Sequence, residues 1–325
     1  MYCLVRASSN DAAKARVRSS LEKRGISPSK CWKKDHAIIC LASALDKPHL
    51  GLPRENYEEL SRNLGTGGVI IHAAWPVNFA AQVESFETQF IGVRALLDLV
   101  GYSTCENEYN HLKPPRMIFI SSTASVINAP GIDMILEAPP SDVYQPQALG
   151  YSQSKWVAER ICLDYCKREL NGLANVQIIR VGQLCGDTKR GIWSESEGWP
   201  LLFAAGLAIG AMPYTSAGDT NVNWLPVDLA ARMINEIAER EAEKKIFHVW
   251  NPKPESWYCI LAWLDDQGYM VQFIEPEEWV AKVKAWVKEK RRDPVWREKS
   301  DKPWTMDMRK VEGIRGMLPI WETQV

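Results

Sequence analysis

Short apolar runs alternate along the chain with longer segments whose apolar positions recur every three or four residues. The runs at 2–6, 37–41, 68–72, 116–121, 176–180 and 246–250 are rich in Val, Ile and Phe and predict strands. The segments at 11–24, 55–64, 82–100, 151–170 and 227–241 carry helical periodicity between them. A strand followed by a helix, repeated, is the pattern of a parallel sheet covered on both faces, so the chain predicts an α/β, Rossmann-like doubly wound fold. Met117-Ile118-Phe119-Ile120 is apolar throughout, as a strand buried on both faces requires.

After Asn251 the composition changes to Trp, Pro and charge, with helices expected at 256–267 and 276–290. This predicts a smaller, mostly helical C-terminal lobe over 251–325 that selects substrate. The dinucleotide-binding domain would then cover 1–250, with lobe insertions around 185–225. The most apolar stretch, 199–213, falls short of the roughly 18 residues a membrane span needs and predicts a buried helix. The basic run Lys288-Glu289-Lys290-Arg291-Arg292 reads as a solvated helix end.

Composition narrows the partners. With 325 residues and 46% apolar content the chain can bury one main core. Its 39 basic and 40 acidic residues balance, which argues against a nucleic-acid groove or an anionic membrane surface and leaves a small molecule or a protein. Eight cysteines lie scattered without a C-x-x-C pair, beside five histidines, so neither a zinc site nor a disulfide framework is signalled, and a cytoplasmic location fits. Met1 leads directly into the strand-like Tyr2-Cys3-Leu4-Val5, without the pattern of a secretory leader.

The candidate chemistry lies in one Tyr-x-x-x-Lys pair. Two such pairs occur, but Lys113 is followed by Pro114-Pro115, which stop a helix, whereas Tyr151 and Lys155 open a long helical pattern. They therefore stand one turn apart on one face. A phenol is a poor acid at neutral pH, and an adjacent ammonium favours its phenolate, so Lys155 is expected to lower the pKa of Tyr151. Upstream, the strand at 116–121 delivers Ser121, Ser122, Thr123 and Ser125 at its C-terminal end, where open α/β sheets bind ligands.

Five blocks, in order, resemble the thioester reductase domains of nonribosomal peptide synthetase-like enzymes, carboxylic acid reductases and aminoadipate reductases, within the extended short-chain dehydrogenase/reductases. They are Val69 through Phe79 (with His72-Ala73-Ala74-Trp75), Phe119-Ile120-Ser121-Ser122-Thr123, Gly150 through Lys155, Arg180-Val181-Gly182-Gln183, and Asn223 through Asp228. The resemblance implies a catalytic set of Thr123, Tyr151 and Lys155. It also implies NADP(H) contacts at His72, Ala73, Ala74, Ser121, Lys155, Val181 and Gln183, with Arg6 receiving the 2′-phosphate. The implied reaction is NADPH-dependent reduction of a carrier-bound acyl thioester to an aldehyde or alcohol, in secondary metabolism. The implied partner is an acyl- or peptidyl-carrier domain bearing phosphopantetheine, with no metal.

Two departures stand beside it. The chain begins at what would be the second strand of such a fold, without the first strand and its Gly-x-x-Gly-x-x-Gly turn, and Gly65-Thr66-Gly67-Gly68 precedes a strand instead of following one. A shifted start, a split product completed by an upstream polypeptide, and a degenerate relative that no longer binds cofactor all remain open. Ala44 stands where the family carries an aspartate for the adenine end, with Asp46 displaced from that place. A cofactor-free protein that docks a carrier domain, and a nucleotide-sugar epimerase or dehydratase sharing the Thr, Tyr and Lys set, are the rival readings.

Overall fold

Local chemistry sets several element boundaries. Ser9 stands in extended backbone and its hydroxyl accepts the Ala12 amide, so a helix begins at Asn10. Ser256 caps a second helix by accepting the Cys259 amide. Pro276 opens a third, at a position where its missing N–H removes no hydrogen bond.

The computed structural model describes residues 1–31, 38–105, 114–129, 134–168, 175–214, 220–240, 244–292 and 307–324. In chain order the first elements are β1 (Tyr2–Val5), α1 (Asn10–Lys23), the single turn α2 (Pro28–Cys31), β2 (Ile39–Ala42), α3 (Arg54–Gly65) and β3 (Val69–His72). Next come α4 (Glu87–Cys105), β4 (Arg116–Ser122), α5 (Gly150–Arg168) and β5 (Asn175–Val181). The remainder is β6 (Leu184–Cys185), α6 (Gly198–Ile209), β7 (Ala211–Pro213), β8 (Asn221–Val222), β9 (Leu225–Pro226), α7 (Val227–Glu239), β10 (Ile246–Val249), β11 (Glu255–Ser256), α8 (Trp257–Asp266), β12 (Gln272–Ile274), α9 (Pro276–Lys290) and α10 (Met308–Gln324). Parts of the expected segments 37–41, 151–170 and 227–241 lie outside the described residues.

The chain forms two compact units, 1–182 with 230–249, and 183–229 with 250–325. The second unit therefore takes up the whole of 183–229 as well as the C-terminal stretch.

In the first unit, β10, β5, β4 and β3 form a parallel sheet in that order, and β1 pairs in parallel with β2. Among the described residues β1 and β3 each pair with one strand only, and Ile71 on β3 is left 47% exposed. Strand β4 lies inside the four-stranded sheet, and Met117, Ile118 and Phe119 are fully buried. Met117 and Phe119 join Val93, Leu97 and Val100 of α4 and Ala158 and Cys162 of α5 in one core. Burial of each large apolar side chain contributes about 1.5–3 kcal/mol.

The second unit has its own core, built on Trp279, Val283, Val311, Ile314 and Leu261. Two indoles in it are tied to backbone: Trp279 donates to the Ala211 carbonyl at 2.9 Å and Trp257 to the Pro213 carbonyl at 2.8 Å. The buried helix expected over 199–213 ends sooner, at Ile209. Gly210 takes a left-handed φ of 69° that stops α6, and the chain turns into β7, which pairs with β12. Helix α10 is not predicted by local sequence, because Gly313, Gly316 and Pro319 all disfavour it. It forms because Val311, Ile314, Leu318 and Trp321 are buried in the second core, where Gly313 allows close approach to Leu201.

Gly150, the first residue of α5, fixes where that helix starts. A Cβ there would lie 2.1 Å from the Ala81 carbonyl oxygen and 2.8 Å from the Val83 amide nitrogen, both backbone atoms that cannot swing aside. Gly150→Ala is expected to destabilise the chain by about 1–3 kcal/mol, as overpacking does, and to lower the denaturant midpoint accordingly. An unchanged midpoint would show that α5 does not seat on the 81–83 backbone in solution.

Candidate functional site

The parallel strands β3, β4 and β5 end at His72, Ser122 and Val181, and the register sets Ser122 opposite Val181 and His72 opposite Phe119. Their C-terminal ends form the edge at which open α/β sheets bind ligands. Helix α5 brings Tyr151 and Lys155 there.

The Ser122 hydroxyl lies near the Tyr151 phenol, and the Phe79 ring meets the Tyr151 ring edge-on with centroids 5.4 Å apart. Burial raises the pKa of Tyr151 above the ordinary phenol value, and the nearby Ser122 hydroxyl opposes that rise. The expected lowering by Lys155 is not found. The ammonium instead donates to the Ile120 carbonyl at 2.7 Å and lies 5.9 Å from the Tyr151 ring centroid. It rests over aromatic faces, 4.5 Å from the centroid of Trp75 and 4.9 Å from that of Phe119. Burial pushes its pKa down to about 7, with the Glu159 carboxylate pulling the other way.

His72 is buried against Trp75 and Phe119. Burial, aided by the Lys155 charge, takes its pKa down to about 4, so the imidazole is neutral at physiological pH. Its Nε2 has no hydrogen-bond partner among the described residues. Ala73 and Ala74 follow on an exposed loop, and the Trp75 indole donates to the Ser154 hydroxyl at 3.1 Å.

The Ser121 side chain, expected at the cofactor, is engaged within the protein. It is 3% exposed and its hydroxyl donates to Glu159 Oε1, so its side chain belongs to a buried ion network. Glu159 also accepts from the Ser125 hydroxyl and pairs with Arg180 at 2.7 Å, with both charged side chains essentially out of solvent. Arg180 donates further to the carbonyls of Ala138 at 3.0 Å and Leu136 at 3.4 Å, on the segment that leads to Tyr151. Thr123 stands in the turn just after β4, partly exposed. Arg6 is exposed at the end of β1, immediately before the N-terminus of α1. Gln183 opens the second unit and donates to its neighbour's carbonyl at 2.9 Å. Ala44 donates its amide to the Leu50 carbonyl, and Asp46 pairs with Lys47.

Sequence reasoning placed Ser122, Trp75 and Phe79 in the segments that form this site without giving them individual roles, and it overlooked Glu159. Glu159 carried a usable signal, since a carboxylate four residues after Lys155 on a core-facing helix side is unusual. In the second unit, Trp199, Trp224, Trp257 and Phe203 pack ring against ring at 5.0–6.1 Å between centroids. Among the described residues no cluster of three or more His, Cys, Asp or Glu could hold a metal, and no helix is long and apolar enough to cross a membrane.

One half of a nicotinamide nucleotide fits what is present. Lys155 has a single protein acceptor among the described residues for its three N–H groups, and the unpartnered His72 Nε2 sits beside it; these suit ribose hydroxyls. Tyr151 and the Val181 edge adjoin them. Among the described residues no glycine-rich turn follows a strand of the parallel sheet to hold a pyrophosphate.

Comparison with known proteins gives the family and the fold. The NAD-binding family described as male sterility protein matches residues 1–234. The adenylate-forming reductase Nps10 of Heterobasidion annosum is 32% identical over 247 residues, covering 76% of this chain and 21% of that protein. The carboxylic acid reductase of Neurospora crassa is 31% identical over 291 residues, covering 86% of this chain and 25% of its own length. The terminal R domain from the myxalamid PKS-NRPS biosynthetic pathway shares the fold, with a TM-score of 0.73 at 20% identity over 97% of this chain and 71% of that one. The chain spans only 11% to 21% of the first three curated relatives.

The buried ammonium makes stability depend on pH. Lys155 titrates at about 7 when folded and near 10.4 when unfolded, so between those values the unfolded chain binds more protons and stability rises with pH. The penalty is complete below pH 7 and fades toward about pH 10. Lys155→Met is therefore expected to stabilise the ligand-free chain by on the order of 2 kcal/mol near pH 6, with the gain shrinking as pH rises. Denaturant titrations across this range measure it; a gain independent of pH would exclude a charge penalty at Lys155.

Proposed function

Because the chain belongs to the NAD-binding family described as male sterility protein, we propose that it reduces a carrier-bound acyl thioester with NADPH, releasing an aldehyde and the carrier thiol. The observation that carries this reading is the convergence of Tyr151, Ser122 and Lys155 at the C-terminal edge of the parallel sheet. When bound, the nicotinamide supplies a hydride to the thioester carbonyl carbon.

The chain's own residues do the rest. Burial keeps the Tyr151 phenol protonated at neutral pH, so it serves as the proton donor to the carbonyl oxygen. Thr123 and Ser122 lie at the same strand end, where their hydroxyls hydrogen-bond the oxygen as it gains negative charge. Lys155 holds the nicotinamide ribose from its seat over Trp75 and Phe119, with His72, Ala73, Ala74 and Val181 around it. The hemithioacetal then loses its thiol to leave the aldehyde, which a second round of the same chemistry would take to the alcohol. Arg6 receives the 2′-phosphate, which a guanidinium matches in charge and geometry. The phosphopantetheine arm of a carrier domain presents the substrate, as the similarity to an adenylate-forming reductase and an R domain supports.

A thermal melt of the purified chain with each nucleotide comes first. NADPH at about 100 times its dissociation constant should add about 2.7 kcal/mol, and NADH less. A melt indifferent to both would favour a cofactor-free docking protein. Arg6→Ala should reduce the NADPH preference by about tenfold; an unchanged preference would remove Arg6 from the phosphate site. Tyr151→Phe should cut turnover of an acyl-pantetheine thioester by about 100-fold or more while leaving the NADPH-induced shift intact. Full turnover in that variant would end the assignment of Tyr151 as proton donor.

A further inference from the structure

The loop after β3, from Ala73 to Gln82, carries no strand or helix, so its contacts with neighbours fix where it lies. Three of those contacts fall on the start of α5. The Trp75 indole donates to the Ser154 hydroxyl at 3.1 Å, and that hydroxyl donates its own proton to the Tyr151 carbonyl at 2.6 Å. The backbone at 81–83 closes against Gly150 so tightly that a Cβ finds no room. The third contact is Phe79, whose ring meets the Tyr151 ring at 82° with centroids 5.4 Å apart.

The first two contacts fix the backbone around Tyr151 and leave its ring untouched. That ring still turns about χ1 and χ2, so its direction depends on what packs against it. Among the described residues the Phe79 ring does so, whereas Trp75 and Phe119 receive the Lys155 ammonium, which stays 5.9 Å from the Tyr151 centroid. An edge-on pair is an arrangement that aromatic quadrupoles favour, so rotating either ring out of it is opposed. Phe79 is itself held in a turn, where Asn78 Oδ1 accepts the Ala80 amide at 3.1 Å and the Asn78 carbonyl accepts the Ala81 amide at 3.4 Å. It is half-buried while Val77, Asn78 and Ala80 beside it are exposed.

We propose that Phe79 is a positioning residue for Tyr151, fixing the plane of the phenol ring while Trp75 and the 81–83 backbone fix the helix turn that carries it. One loop thereby sets both members of the pair, since Trp75 also seats the Lys155 ammonium 4.5 Å from its ring centroid. The bearing of Phe79 on catalysis rests on Tyr151 as proton donor, but its hold on the ring does not.

Ring dynamics and a mutant cycle provide the test. In the full chain with ring-labelled tyrosine, the Tyr151 signal is identified by its loss in Tyr151→Phe, and its relaxation reports how freely the ring moves. A ring already mobile in the wild type overturns the proposal without any variant at position 79. Phe79→Leu keeps apolar bulk but removes the ring and should mobilise Tyr151, whereas Phe79→Tyr should leave it rigid; unchanged ring order in Phe79→Leu overturns the proposal. If the wild type turns over an acyl-pantetheine thioester, Phe79→Leu should lower kcat by about tenfold with KM unchanged, and Phe79→Tyr should recover most of that loss. In a Tyr151→Phe background, Phe79→Leu should cost less than about twofold, because the hydroxyl it positions is gone. A loss as large in that background would mean that Phe79 acts on the fold or the substrate, and the proposal would fall. A wild type without turnover would sink the reductase reading, while ring relaxation still decides the positioning role.

Discussion

The first unit is organised around one buried ion pair. Arg180 and Glu159 have side chains 1% and 0% exposed, and removing two such charges from water is unfavourable by several kcal/mol per ion. Their mutual attraction offsets that only with additional hydrogen bonds, and these are supplied by Ser121, Ser125 and the carbonyls of Leu136 and Ala138. The clasp thus joins β5, α5, the end of β4 and the segment that leads into α5. Breaking it by losing one partner would leave an uncompensated charge in the core.

This clasp also accounts for how the adjacent chemistry tolerates burial. Lys155 lies one turn from Glu159, in an environment that drives its pKa down to about 7, and the Glu159 charge is the largest influence against that fall. The aromatic faces of Trp75 and Phe119 receive the ammonium where acidic side chains do not. Neutral His72 follows from the same cation and from burial. Burying Lys155 thus trades stability for a defined position at the edge of the sheet.

The Tyr-x-x-x-Lys helix, the buried strand before it and the strand-helix alternation were all legible in the sequence. Tyr151 and Lys155 lie on one helix face because helical periodicity places residues four apart together, whatever surrounds them. The same holds for β3, β4 and β5, whose apolar runs match their burial in a parallel sheet. Helix α10 was not legible, because glycines and a proline disfavour it locally and only packing in the second core compensates.

By itself the sequence determined the α/β class, the strand ends that carry the candidate site, and the pairing of Tyr151 with Lys155 on one helix face, since these depend on periodicities of two and 3.6 residues within single elements. Only the tertiary structure decided which hydroxyl lies near the phenol and where the ammonium points. Ser121 and Ser122 are neighbours in a strand and therefore face opposite ways, one to Glu159 and the other to Tyr151. Lys155 binds the Ile120 carbonyl and two aromatic faces because β3, β4 and the loop after β3 converge around it. Such contacts join residues far apart in the chain, and their geometry comes from packing, which no local pattern of residues encodes.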